Sequence, residues 1–240
     1  MTSETVRLQR REEVAHGTMA FHFDKPAGFS FKPGQAIDLI LPDPAIAGTE
    51  GARHAFSIVS APHEGELVVA TRRRDSAFKN ALAGLALGAP AQVEGPFGAL
   101  TLHNKAERAA VFVAGGIGIT PFMSMLRHAA HQRLQRRLVL VYSNRRPEDS
   151  AFLSELQRLE GDYPNFSLVA TMTRMAESRL PWMGETGLVD AALLKRVAAE
   201  LPDPVYYVAG PPAMVAGLRE TLERVGVDDD DIRSEEFYGY

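Results

Sequence analysis

Residues 109–126 place the tightest constraint on the fold. They read Ala-Ala-Val-Phe-Val-Ala-Gly-Gly-Ile-Gly-Ile-Thr-Pro-Phe-Met-Ser-Met-Leu. The first part is a short, β-rich apolar run. Gly115, Gly116 and Gly118 then break it, and from Thr120, with Pro121 behind it, the pattern is that of a helix start. Strand, tight glycine turn and helix in succession let backbone N–H groups approach a phosphate and aim a helix N-terminus at it. The stretch carries no charge, which raises the alternative of a membrane span. Three glycines and a proline in its middle cannot belong to a continuous spanning helix, so that alternative is rejected. The reading is a nucleotide-binding turn rather than a buried structural turn.

The 240 residues allow one large domain or two ordinary ones, and a hydrophobic share of 45% supports a sizeable core. A net charge of −4 gives no reason to expect a nucleic-acid surface. The chain has no cysteine, which excludes disulfides, thiolate-ligated iron–sulfur clusters and a cysteine nucleophile. The N-terminal Met-Thr-Ser-Glu-Thr-Val-Arg has no apolar signal core. The expectation is a soluble cytoplasmic protein with no membrane partner.

Residues 5–23 alternate loosely and read as strand, followed by a turn at Asp24–Gly28. Further strands are expected at 36–41, 55–60 and 66–72, with a Pro/Gly loop over 42–52. Phe78, Leu82 and Leu85 fall at helical spacing within 76–87, and Gly88 ends that piece. Residues 91–98 close the first half. Short strands with Gly/Pro turns and one helix predict a small antiparallel β-barrel. From Arg108 onward strands alternate with helices, which predicts a parallel sheet. Strands are expected at 110–114, 137–142, 166–171 and 205–209. Helices are expected at 120–134, from Ser150, at 190–200 and up to Val225. The fold class is therefore β plus α/β: an antiparallel barrel over 1–105, then a parallel, Rossmann-like nucleotide-binding domain over 106–240. Ligands on such sheets bind at the carboxyl ends of strands, where the 115–118 turn, the 143–146 loop, residues 171–174 and the 209–212 turn fall.

Four pieces, in this order, resemble the ferredoxin–NADP reductase superfamily. Ala55-Phe56-Ser57-Ile58-Val59-Ser60 is similar to the family's flavin motif, Arg-x-Tyr-Ser or Arg-x-Phe-Ser. Gly95-Pro96-Phe97-Gly98 resembles the barrel closure. Gly115-Gly116-Ile117-Gly118-Ile119-Thr120-Pro121 resembles the nucleotide turn, and Ala209-Gly210-Pro211-Pro212 resembles the Cys-Gly-Pro motif near the nicotinamide. The resemblance covers essentially the whole chain. It implies FAD on the barrel, NADH or NADPH on the second domain, and a C-terminal tail that returns to the flavin.

What the resemblance implies for individual residues follows. Phe56 is a flat wall for the flavin, and Ser57 is a small hydroxyl beside flavin N5. Arg53, His54 and the 75–78 segment with Ser76, Ala77 and Phe78 are candidates for its pyrophosphate, and Ala55 with Val69, Ala70 and Thr71 lines the flavin site. Gly115, Gly116, Gly118, Thr120 and Pro121 form the nucleotide turn, and Ala209, Gly210, Pro211 and Met214 lie on the nicotinamide side. Ser143, Asn144, Arg145 and Arg174 meet the adenosine ribose, where Arg146 also lies. Ser57, Glu236 and Phe237 are the catalytic candidates. Phe237 or Tyr240 covers the flavin ring, and Glu235 or Glu236 helps deliver a proton. No metal is expected, and Asp228–Asp231 reads as a solvated loop.

Two departures stand out. His54 occupies the place of the family arginine, with Arg53 one step earlier, and Ala209 replaces the family cysteine. The arginines at 145, 146 and 174 suit a 2′-phosphate, whereas Asn144–Asp149 is closer to NADH-using relatives; the reading leans to NADH. The implied function is hydride transfer from nicotinamide to FAD, then electron delivery to a separate acceptor such as a ferredoxin, a flavodoxin or an oxygenase component. The alternative is a non-catalytic or weakly catalytic flavin- and nucleotide-binding subunit of a larger redox complex. Arg72–Arg74 is either a solvated turn, a phosphate contact or a docking patch for an acidic carrier.

Overall fold

The computed structural model describes residues 3–42 and 52–238. The chain divides into two compact units. The first holds residues up to Thr101 together with Thr120–His128; the second holds Leu102–Ile119 and the chain from Ala129 onward.

In the first unit, β1 (Ser3–Ala15), β2 (Thr18–Asp24), β3 (Ala36–Ile40), β4 (Arg53–Ser57), β5 (Glu66–Arg72) and β6 (Pro90–Phe97) form one antiparallel sheet in the order β4-β3-β6-β1-β2-β5. The loose alternation of residues 5–23 is a hairpin rather than one strand. Its turn uses Gly17 at φ +65°, a conformation that costs glycine nothing. Alternate residues such as Val6, Leu8, Phe21, Phe23, Ile37, Leu39, Leu67 and Val69 are buried, as a sheet covered on one face requires. Helix α1 (Ala77–Gly84) adds Phe78 and Leu82 to this core. Burying a side chain of this size stabilises the unit by about 2 kcal/mol.

The expected barrel is barrel-like but not closed. The chain leaves β4 after Ser57, so no ladder joins the two edge strands β4 and β5. Beyond that point the Val59 N–H donates to the Val68 carbonyl at 2.8 Å, and the Val68 N–H donates to Ser60 Oγ at 3.0 Å.

In the second unit, β7 (Ala110–Gly115), β8 (Leu138–Asn144), β9 (Phe166–Met172), β10 (Glu185–Thr186), β11 (Val205–Gly210) and β12 (Ile232–Glu236) form a parallel sheet in the order β10-β9-β8-β7-β11-β12. Its helices are the end of α2 (Thr120–His131), then α3 (Leu153–Asp162), α4 (Ala191–Ala198) and α5 (Pro212–Arg224). Central strands such as β7 and β11 are buried along their whole length, which explains their unbroken apolar sequences. Asp190 caps α4 by accepting from the Leu193 N–H at 2.8 Å. From β7 the chain builds outward to β8 and β9, then returns to β11 on the other side. The carboxyl ends of β7 and β11 therefore flank the point where the winding reverses, the usual ligand crevice of such sheets.

Residues 109–126 are strand β7, a 3-10 turn at Gly116–Ile119 and the start of α2. Among the described residues no helix is long and apolar enough to cross a membrane.

Candidate functional site: a glycine turn and an aromatic strand

In the second unit, strand register places the candidate residues. Gly115 lies beside Ser143, and Asn144 beside Met172. Ala209 lies beside Ala114 and Glu235, and Gly210 beside Glu236. The sequence-predicted nucleotide residues of the second unit thus gather along the carboxyl edge of one sheet.

The glycines of the turn have separate reasons. Gly116 takes φ +55°, which favours glycine. A Cβ on Gly118 would overlap the Ala209 carbonyl, and one on Gly115 would overlap Met214 Sδ and meet the Pro211 ring at 3.1 Å. Gly115 and Gly118 therefore allow β11 and the start of α5 to close onto the turn. Thr120 and Pro121 begin α2, Thr120 being buried. The Phe237 N–H donates to the Gly210 carbonyl at 2.9 Å and ties the C-terminal segment to the end of β11.

At the end of β8, Asn144 is 5% exposed, and among the described residues neither its Oδ1 nor its Nδ2 has a hydrogen-bond partner. Arg145 is exposed. Arg146 is held by both carboxylate oxygens of Asp149 at 2.8 Å, a bond that raises its guanidinium further above its ordinary pKa. Arg174 lies 3.6 Å from Glu177 in an exposed pair. Glu235 and Glu236 occupy different surroundings. Glu236 is exposed and accepts from the Tyr238 hydroxyl at 2.5 Å. The Glu235 Oε2 is buried with no partner among the described residues, and burial pushes that carboxyl above the usual range. Tyr240 lies outside the described residues.

The first unit carries an aromatic layer on β4 and α1. The His54 ring stacks on Phe56 with centroids 4.7 Å apart and planes 21° apart, and Phe78 lies 5.4 Å from His54 and 5.9 Å from Phe56. Phe56 is 6% exposed beneath these rings, while Ala55 is exposed. Ser57 is buried, and its Oγ has no partner among the described residues. Arg53 is engaged by Asp38 at 2.9 Å and by Glu94, so its charge is already matched within the sheet. Val69, Ala70 and Thr71 are buried on β5. Ser76 caps α1 by accepting from the Lys79 N–H at 3.3 Å. Ala77 is exposed at the start of that helix.

Two residues that sequence reasoning passed over or left open stand out. Lys79 lies in the first turn of α1, where burial and then Arg74 hold its ammonium below the usual lysine range. Its place three residues after a capping serine was readable. Its desolvation was not. Glu235 was one of two adjacent acids, and only strand register distinguishes them. A groove of about 860 Å³ between α3 and residues 180–186 is lined by none of the predicted nucleotide residues.

Residues 112–220 match the family described as the oxidoreductase NAD-binding domain. A ferredoxin NADP+ reductase from Neisseria gonorrhoeae, solved with bound FAD and NADP, superposes with a TM-score of 0.80 over 98% of each chain at 21% identity. The chain shares the fold of that reductase, and its residues 112–220 are similar to an oxidoreductase NAD-binding domain.

In sequence, the chain is 30% identical over 220 residues to the reductase component of propane 2-monooxygenase from Rhodococcus jostii, covering 89% of this chain and 57% of that one. It is also 30% identical over 223 residues to the glycine betaine monooxygenase reductase subunit of Chromohalobacter salexigens, covering 92% of this chain and 60% of that one. The chain spans about three-fifths of the length of these curated relatives.

Proposed function

We propose that this chain is a flavin-dependent NAD(P)H oxidoreductase that serves an oxygenase as its reductase component. The observation that carries the reading is the Gly115–Gly118 turn closed onto Ala209 and Gly210 at the reversal point of the parallel sheet. The similarity to oxygenase reductase components supports the choice of acceptor.

The residues present fit both groups. For FAD, the fit rests on the buried, unpartnered Ser57 hydroxyl beside an aromatic layer, and on the cations Lys79 and Arg74 near the start of α1. When bound, FAD accepts a hydride from reduced nicotinamide and passes electrons on. Ser57 offers a hydrogen bond at the flavin edge, and Phe56 with His54 and Phe78 supplies apolar and stacking surface. Burial raises the Glu235 carboxyl at the end of β12 and so favours its protonated form. Phe237 is tied by its backbone to Gly210, which suits a covering role at the nicotinamide end.

The donor is NADH in this reading. Arg146 is committed to Asp149, and Arg174 faces Glu177, so two of the three arginines at the ribose end already have carboxylate partners. The acceptor is a separate protein, an oxygenase component or its ferredoxin.

The test is to purify the protein, measure FAD per chain, and follow NADH-driven reduction of an added oxygenase ferredoxin. About one FAD per chain and rapid reduction support the reading. Flavin-free protein that still binds nucleotide favours the non-catalytic subunit instead.

A further inference from the structure

The large apolar side chains that stand exposed among the described residues are not scattered. Leu180, Met183 and Leu188, at 51%, 99% and 80% exposure, fall within one short segment. Singly exposed apolar residues are ordinary, whereas a cluster marks a surface that associates. The segment is held in place. The Glu148 carboxylate accepts from Ser178 Oγ at 2.9 Å and from the Arg179 N–H at 3.1 Å. The Trp182 indole N–H donates to the Glu185 carbonyl at 2.8 Å, and the ring lies so close to Gly184 that a Cβ there would overlap it. Apolar side chains fixed outward lose little conformational entropy when they are covered. Leu180, Trp182 and Met183 line the groove of about 860 Å³ from this segment, and Leu153 and Glu160 line it from α3.

The charges on this surface select its occupant. Glu160 and Glu185 are the charged residues that line the groove. Arg196 pairs with Glu185 at 2.5 Å. Glu160 accepts from the Leu168 N–H at 2.7 Å, and no cation lies beside it among the described residues. Arg179, next to Leu180 on the opposite rim, is exposed, and no carboxylate engages its guanidinium among the described residues. We propose that this groove and the 179–183 segment form a two-fold interface with a second copy of this chain. Met183 of each copy enters the groove of the other, and Arg179 of each meets Glu160 of the other. A two-fold contact must be self-complementary, because every pairing occurs twice. This surface meets that requirement: a projecting apolar side chain stands beside a groove, and an open cation stands across from an open anion. A lipid surface would instead call for cations around the apolar residues, and the lining carboxylates oppose it. β10, the last strand of the sheet, has only two residues, so side chains rather than strand addition make the contact. The interface is separate from the nucleotide residues and does not depend on the redox function.

The test is analytical ultracentrifugation of the full chain over a wide dilution series. One copy has a mass of 26.2 kDa. The unsubstituted protein is expected at twice that mass when concentrated, falling toward one copy on dilution. Met183→Asp is expected to be a monomer throughout. Arg179→Glu and Glu160→Arg each set like charges together and weaken association about tenfold or more. The variant carrying both changes recovers it, since the pair is reversed and not removed. Thermal unfolding checks that each variant is folded. If Glu160→Arg does not fold, Glu160→Gln serves in its place: it keeps an acceptor for the Leu168 N–H, loses only the charge and weakens association less. An unsubstituted protein that is monomeric at every concentration overturns the inference and leaves the groove to a different protein. A dimer that Met183→Asp and Arg179→Glu leave intact also overturns it and puts the contact on another face. A double variant no tighter than either single one overturns the pairing of Arg179 with Glu160.

Discussion

Gly118 sits so close to the carbonyl of Ala209 that a Cβ on residue 118 would overlap it. The opposing atoms are main chain at the end of a buried strand, so they cannot turn aside as a side chain would. Gly118→Ala is therefore expected to cost about 1–3 kcal/mol and to lower Tm by about 3 °C or more. Weaker nucleotide binding should accompany it, because the turn must open. Thermal unfolding and a nucleotide titration of the variant check both effects. An unchanged Tm would show that the turn has room to spare.

Ser57 presents the opposite case, a buried hydroxyl with no partner among the described residues. On the proposed function, removing it relieves an unmade hydrogen bond in the flavin-free state and deletes one made to bound flavin. Ser57→Ala should leave flavin-free stability unchanged or slightly higher. It should slow nucleotide-driven flavin reduction roughly tenfold, the size of one hydrogen bond. Stopped-flow absorbance alongside thermal unfolding separates the two effects.

His103 gives the second unit a pH dependence. It is 7% exposed, and its Nδ1 lies 2.8 Å from the Tyr207 hydroxyl. Burial, followed by the nearby Arg136, lowers its pKa to about 4. The unfolded chain takes up a proton near the ordinary histidine value of about 6.5, while the folded protein resists until about pH 4. Stability therefore falls as pH drops through this window, by up to about 3 kcal/mol. Denaturant unfolding between pH 7 and pH 4.5 should show the slope in the unsubstituted protein and a flatter one in His103→Gln.

Much of the architecture was readable because its signals are local. The 66–72 strand, the glycine turn and the alternation after Arg108 follow from periodicity and punctuation. The hairpin within residues 5–23 was missed because His16-Gly17 is a short turn inside a loose alternation. The site was less legible where long-range pairing decides it. Arg53 reads as a free cation until Asp38 and Glu94 are brought beside it. Asp228–Asp231 reads as a solvated loop, yet Asp231 binds Arg108 at 2.7 Å and Asp229 pairs with Arg219. No pattern in the sequence marks Ser57, Asn144 or Glu235 as lacking partners. Such a property belongs to everything packed around a side chain.

Glu235 shifts in the opposite sense to His103. Burial raises its pKa, so between the ordinary carboxylate value and the raised one the folded state holds a proton that the unfolded state has lost. Stability declines as pH rises through that window. Glu235→Gln removes the decline: the variant should match the parent near pH 4.5 and exceed it in Tm at pH 8. Equal Tm values at pH 8 would mean that the carboxylate is solvated or paired in solution.

The central claim is a hydride path from a nicotinamide nucleotide to a bound flavin. Anaerobic titration of the purified, FAD-loaded protein with NADH, and separately with NADPH, tests it directly through the visible flavin absorbance. The account predicts bleaching near one equivalent of NADH, with NADPH the poorer donor. A flavin that neither nucleotide bleaches would contradict the account and point to Ala209 and His54 as substitutions that silence the site.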